Sequence, residues 1–201
     1  MLGAKLDAPN YFEKLQTEIG NLDQAAIKRW SDLVYECWEA GRFVFVFGNG
    51  GAGTTAGHIH EDFAKSSLRK TDLLDESKKR LKIISLNDNL GWVTAVGNDM
   101  GFEHIFQQQL MNYASKGDLA IAMSGSGNSA NVIQAVEWCQ RHGVHTYGMT
   151  GYDGGKLKQI QDEGLHVPVD DMGMVQSIHL CVFHWVLDDV FARINSEGRY
   201  A

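Results

Sequence analysis

Residues 43–47 read Phe-Val-Phe-Val-Phe and run straight into Gly48-Asn49-Gly50-Gly51-Ala52-Gly53, with His58, His60, Glu61 and Asp62 following a few positions on. Alternating Phe and Val suit a strand of a parallel sheet covered on both faces. The glycines let backbone N–H groups converge where side chains would block a ligand. A helix opening after such a turn directs its positive N-terminal end at the same point. The stretch therefore predicts an α/β architecture with an anion cradle at the end of a buried strand and acid–base side chains on the helix behind it.

Gly48, Gly50 and Gly53 also satisfy G-x-G-x-x-G, the dinucleotide fingerprint, which on its own is weak evidence. A dinucleotide fold needs an acidic residue closing the second strand roughly 20 residues on. Here that interval is the basic Lys65-Ser66-Ser67-Leu68-Arg69-Lys70-Thr71, and Asp88 comes too late. No nucleotide cofactor is expected.

The same strand signal recurs. Short apolar segments at 43–47, 81–86, 119–123, 144–149 and 165–169 alternate with helical periodicity, including 105–114 and 132–140, which argues for a five-stranded parallel sheet flanked by helices. Pro168 marks the fifth segment as an edge strand. Residues 11–40 read as one or two amphipathic helices. Residues 175–194 read as one long helix, apolar on most of its circumference, which must be buried in a core or between subunits. These terminal helices are the expected oligomer interface, in a dimer or a tetramer. Residues 66–79, rich in charge, read as a flexible insertion.

At 201 residues the chain suffices for one well-buried domain. A net charge of −7 argues against broad nucleic-acid binding, so a phosphate has to be held by backbone N–H groups, hydroxyls and helix ends. No run of roughly 18 apolar residues occurs and the N-terminus lacks a signal-peptide core, so a cytoplasmic protein without membrane contact is expected. Cys37, Cys139 and Cys181 are widely spaced and read as buried thiols, not as a disulfide framework or thiolate metal site.

A second turn, Ser124-Gly125-Ser126-Gly127-Asn128-Ser129, ends the third apolar segment and leads into a helix near Ala130. Three hydroxyls and two glycines at the carboxyl end of a strand offer several donors to one phosphate without any lysine. In open parallel sheets ligands sit beyond the carboxyl ends of the strands, where two such turns can converge. The plainer reading leaves Ser129 or Asn128 as a helix cap. A third turn, Thr150-Gly151-Tyr152-Asp153-Gly154-Gly155, is less specific.

These three turns, with Val96-Gly97-Asn98-Asp99-Met100-Gly101-Phe102, resemble the sugar isomerase (SIS) domain, specifically the phosphoheptose (sedoheptulose 7-phosphate) isomerases, over residues 11–192. The resemblance implies a doubly wound parallel sheet, one SIS domain over 1–201, a homotetramer, active sites built between subunits, and an aldose–ketose isomerisation through an enediol. It implies that Asn49, Gly50, Gly51, Asp99, Ser124, Gly125, Ser126, Ser129 and Gln176 bind the phosphosugar. It further implies that Asp62 is the catalytic base, that His184 is its acid/base partner, and that His58, Asp62, Gln176 and His184 hold a divalent metal, which in several members of the family is zinc.

The spacings agree with shared tasks. His58 and Asp62 stand four apart on one helix face. Gln176 and His184 lie eight apart, roughly 80° around the axis. Adjacent Glu61 points about 100° away from Asp62, and His60 about 200° from His58, toward a surface or subunit contact. The chain also departs from the family. Asp62 replaces a glutamate and is one methylene shorter. Ala52 stands where Ser is common, Gly125 where Thr is common, and Gly173-Met174 where an Asp-Arg pair is common. Read from the residues alone, Asp99 caps the following helix. Two other functions stay open on the sequence: a non-catalytic sugar-phosphate-binding regulator of the replication-initiator-associating type, and an isomerase of another ketose phosphate.

Overall fold

The computed structural model describes residues 1–201 and resolves the alternation of the first strand into two cores. In β1 (Phe43–Gly48), Val44 and Val46 join one apolar cluster with Ile59, Phe63 and Phe183, while Phe45 and Phe47 join a second with Phe106, Leu110 and Val136. The period of two along a strand sends successive side chains to opposite faces, so each face gains a helical layer.

The layers follow from the chain order. The first face carries α1 (Ala8–Gly20), α2 (Gln24–Ala40), α3 (Gly51–Ser66) and α8 (Met172–Asn195). The second carries α5 (Gln107–Tyr113), α6 (Ala130–His142) and α7 (Gly155–Ile160), with α4 (Leu90–Asp99) packed at its margin. Between them lie β1, β2 (Lys82–Ser85), β3 (Leu119–Ser124), β4 (His145–Thr150) and β5 (Glu163–His166), all parallel, in the order β2-β1-β3-β4-β5. The order reverses direction between β1 and β3, paired in register Val44 with Leu119 through Gly48 with Met123. That is the switch point at which an open α/β sheet leaves a crevice beyond its strand ends.

All five predicted strands are present, with one shifted. β5 occupies 163–166 where 165–169 is expected, because Pro168 has no N–H to continue the ladder. Val167 still donates to Thr150 O, and Val167 and Val169 stay buried, so the apolar run continues as a packed edge segment. The helix expected over 105–114 begins later, at Gln107, with Ile105 and Phe106 buried in the turn before it. The long terminal helix starts three residues early at Met172, because Asp171 caps it by accepting from Met174 N. Its buried face packs on α2, where Trp30 stacks on Tyr147 and approaches Phe183. In the single chain it also keeps Ser177, Cys181, His184, Trp185 and Asp188 exposed along one stripe. Residues 66–79 contain a short 3₁₀ turn, Lys70–Asp72. No helix is long and apolar enough to cross a membrane.

Candidate active site

Six helices have ten or more residues, and four of them begin on a side-chain cap. Asp7, Asp23, Asn89 and Asp171 accept first-turn N–H groups of α1, α2, α4 and α8. The two without one, α3 and α6, are those that follow β1 and β3 at the switch point. Ala52 N and Gly53 N already donate to Asn49 O, and Val132 N to Asn131 Oδ1, so Gly51 N in α3 and Ala130 N and Asn131 N in α6 are the groups left for a ligand, and both helix ends favour an anion. Gly50 makes the first turn possible, with φ of 54° and ψ of −124° in a region that favours glycine. Ser129, which could have capped α6, instead places its Oγ 3.3 Å from Ser124 Oγ. Ser124 Oγ also accepts from Gly127 N at 3.1 Å, so the two hydroxyls stand together over the open helix end.

Two buried or half-buried amides that the sequence did not single out hold these turns. Asn131 and Asn49 exchange reciprocal bonds, each Nδ2 donating to the other's Oδ1 at 2.8 Å, which ties the first turn to the second. The Asn49 side chain is thus occupied with spacing the turns. Asn87 donates to Gly48 O at 2.7 Å and accepts from Gly48 N at 3.2 Å, fixing the last residue of β1. The third turn braces the second: Gly151 N donates to Gly125 O, and Lys156 N to Asn128 Oδ1.

His58 and Asp62 share one face of α3, as their spacing predicts, and His184 of α8 faces them. Asp62 Oδ2 lies 3.0 Å from His58 Nε2 and 3.9 Å from His184 Nε2. His184 is oriented by its own helix, since Nδ1 lies 3.0 Å from Leu180 O. A carbonyl only accepts, so the Nδ1 proton points there and Nε2 is left facing Asp62. Gln176, on α8 with His184, borders the glycine turn. Its amide lies over the first turn of α3, where a β-carbon on Gly51 would come within 2.5 Å of Nε2. His60 turns away to Asp88 at 3.5 Å, and Glu61 pairs with Lys65. Asp99 is the exposed last residue of α4 and accepts from Asn98; the turn after it is preceded by Gly101, so Asp99 caps no following helix.

The trio also suits a metal. His58, Asp62 and His184 each offer a ligand atom, all within 4.8 Å of one another, and two imidazoles with one carboxylate form a donor set competent for zinc with a position left open for substrate.

Comparison with known proteins fixes the family. The SIS domain profile matches residues 10–151. The phosphoheptose isomerase of Rhodospirillum rubrum is 35% identical over 159 residues, covering 79% of this chain and 81% of that protein. That of Citrifermentans bemidjiense is 32% identical, covering 92% and 91%. The chain belongs to the SIS domain family, among its phosphoheptose isomerases. The structure of the Neisseria gonorrhoeae phosphoheptose isomerase superposes with a TM-score of 0.82 at 27% identity over 94% of this chain and 98% of that one.

Proposed function

We propose that Asp62 and His184 carry out the proton transfers of an aldose–ketose isomerisation that converts sedoheptulose 7-phosphate to D-glycero-D-manno-heptose 7-phosphate, a step of heptose biosynthesis. The observation that carries this reading is the placement of the Asp62 carboxylate between two imidazoles on helices that also bound the phosphate cradle. Asp62 removes a proton from C1, beside the C2 carbonyl, as His184 delivers one to the carbonyl oxygen, giving an enediol. Return of a proton to C2, with loss of the O1 proton, gives the aldose. Ser124, Ser126, Ser129 and the N–H groups of Gly51, Ala130 and Asn131 hold the phosphate. His58, Asp62 and His184 would hold a zinc ion, with the weaker amide ligand Gln176 nearby on α8. Bound there, zinc would supply Lewis-acid polarisation of the sugar's carbonyl and hydroxyl oxygens.

Residues 1–201 act as one SIS domain, supported by a single sheet with a core on each face. The enzyme works as a homotetramer. His58 and His184 are 41% and 49% exposed in the single chain, whereas proton transfer to an enediol calls for exclusion of water, which a neighbouring subunit lying on the α8 stripe would provide. A cytoplasmic setting is supported by three unpaired cysteines, two of them buried with thiols pushed by burial up to about 12. The test is turnover of sedoheptulose 7-phosphate with zinc supplied, followed by appearance of the aldose. Asp62→Asn and His184→Ala should each lower kcat by about 10²–10⁴-fold. Binding of the phosphosugar without turnover would favour a regulator and sink the enzyme reading.

A further inference from the structure

The first turn of α8 touches all three strand-end turns. Met172, Val175 and Gln176 stand at i, i+3 and i+4 and so share one helix face. Each occupies the space where a side chain would begin on one turn glycine. A β-carbon on Gly125, in the serine turn, would lie 2.6 Å from Met172 Cε. One on Gly151, in the third turn, would lie 2.7 Å from Val175 Cγ2, and one on Gly51 would meet the Gln176 amide. These three glycines are therefore sites of close approach by α8, and the helix that carries His184 is referenced directly to the backbone of every turn at the strand ends.

The three seats differ in stiffness. Val175 is fully buried and β-branched. Gln176 is half-buried. Met172 is 37% exposed and lines the cleft of about 650 Å³ beside Ser126 and Asn128. Its seat rests on an unbranched thioether and can be changed without opening the core. The helix start behind it is fixed, since Asp171 accepts from Met174 N at 3.0 Å and from Leu2 N at 2.7 Å.

We propose that Met172 is a positioning residue for the isomerisation: seated on Gly125, it sets the separation between the phosphate-binding serine turn and His184 on α8. This rests on the isomerase reading above. The serine turn keeps its own internal bonds when Met172 is shortened, so phosphate affinity is maintained while the sugar carbons shift relative to His184. A misplacement of about 1 Å costs up to about 100-fold in rate, so a partial loss of this seat is expected to cost about tenfold.

The experiment compares wild type, Met172→Ala, Met172→Leu, Gly125→Ala and the Met172→Ala/Gly125→Ala pair, each first checked for an unchanged thermal melt. Met172→Ala should lower kcat about tenfold while the inhibition constant of inorganic phosphate stays within about twofold, and Met172→Leu, of similar volume, should retain most of the rate. Gly125→Ala, whose new methyl displaces the thioether, should lose about as much as Met172→Ala, and the pair should be no worse than either alone. A Met172→Ala enzyme with wild-type kcat, a parallel loss of phosphate affinity, or additive losses in the pair would each overturn the inference while leaving the isomerase reading intact. A wild-type protein without turnover overturns the isomerase reading and this inference with it.

Discussion

His179 lies three residues beyond Gln176 on the same helix, in the core instead of the site, and it is 4% exposed. Burial pushes its imidazole down to about 4, against a hydrogen bond to the Thr150 backbone that favours the charged form, and Nε2 has no partner. A folded pKa below the unfolded value means that the unfolded chain takes up the proton first as pH falls. The stability held by neutral His179 is complete above about pH 6.5 and is lost progressively down to about pH 4. The shift corresponds to roughly 3 kcal/mol over that window. Denaturant unfolding at pH 7.5 and pH 4.5 checks it: His179→Leu should lose about 2–3 kcal/mol less on acidification than wild type. Equal losses in the two proteins would show that the pH response comes from elsewhere. The imidazoles of His58 and His184, exposed and facing a carboxylate, belong to a different environment from this one, which is why their position along α3 and α8 matters more than their residue type.

At the level of elements, the cradle depends on how α6 is joined to the end of β1. Asn131 accepts from Asn49 Nδ2 and Val132 N and donates to Asn49 Oδ1, all within a site that is 2% exposed. Asn131→Asp keeps the shape, replaces the donor by a second acceptor and sets a negative charge beside the phosphate position. It should raise KM for the phosphosugar and the inhibition constant of inorganic phosphate at least about tenfold, with kcat changed less; a KM unchanged in steady-state kinetics would remove the Asn pair from the account of phosphate binding. This latch shows where the sequence stops being legible. The strands were readable because Phe43 to Phe47 alternate and the other segments are short apolar runs bounded by polar or glycine punctuation, and the trio was readable because His58 and Asp62 share a helical face and match a family pattern. Asn87 and Asn131 belong to no periodic pattern, and each meets its partner across 39 or 82 residues of chain. The order of β3 beside β1, which makes the two turns neighbours, is likewise a property of packing. The seat of the Gln176 amide over Gly51 is of the same kind, a close approach that depends on a glycine more than a hundred residues away in the chain.

Over the whole molecule, α8 is anchored at both ends and His184 lies between the anchors. The start is held by Asp171 and the turn glycines, the end by a buried ionic cluster that joins α8 to α2 and to the C-terminal segment. Asp189, with no exposed side-chain surface, accepts from Ser31 on α2, pairs with Arg193 at 2.9 Å and meets Arg199 and Tyr200. Arg193 reaches on to Asp32 of α2 at 2.6 Å. Burial pushes the Asp189 carboxyl up, but the hydrogen bonds from Ser31, Arg199 and Tyr200 and the charge of Arg193 outweigh it and hold the group below the usual carboxylate range. Because its folded pKa is depressed, this contribution is present above the ordinary carboxylate range and is lost as pH falls through it. Removing Arg193 takes one of two cations from a carboxylate with no exposed surface, leaving Arg199, Ser31 and Tyr200 to hold it, a loss at the low end of what breaking a buried pair costs. Arg193→Met should therefore destabilise the protein by about 3 kcal/mol in urea denaturation at pH 7. Arg193→Met combined with Asp189→Leu should recover part of that, because the buried carboxylate that has lost one of its two cations is gone. If the double variant is no more stable than Arg193→Met, the cluster acts through the Arg193 guanidinium lying over the rings of Tyr35 and Tyr200 and not through its ion pair with Asp189. Recovery of stability with a lowered kcat would instead show that the ionic anchor fixes the line of α8, and with it the reach of His184 to Asp62.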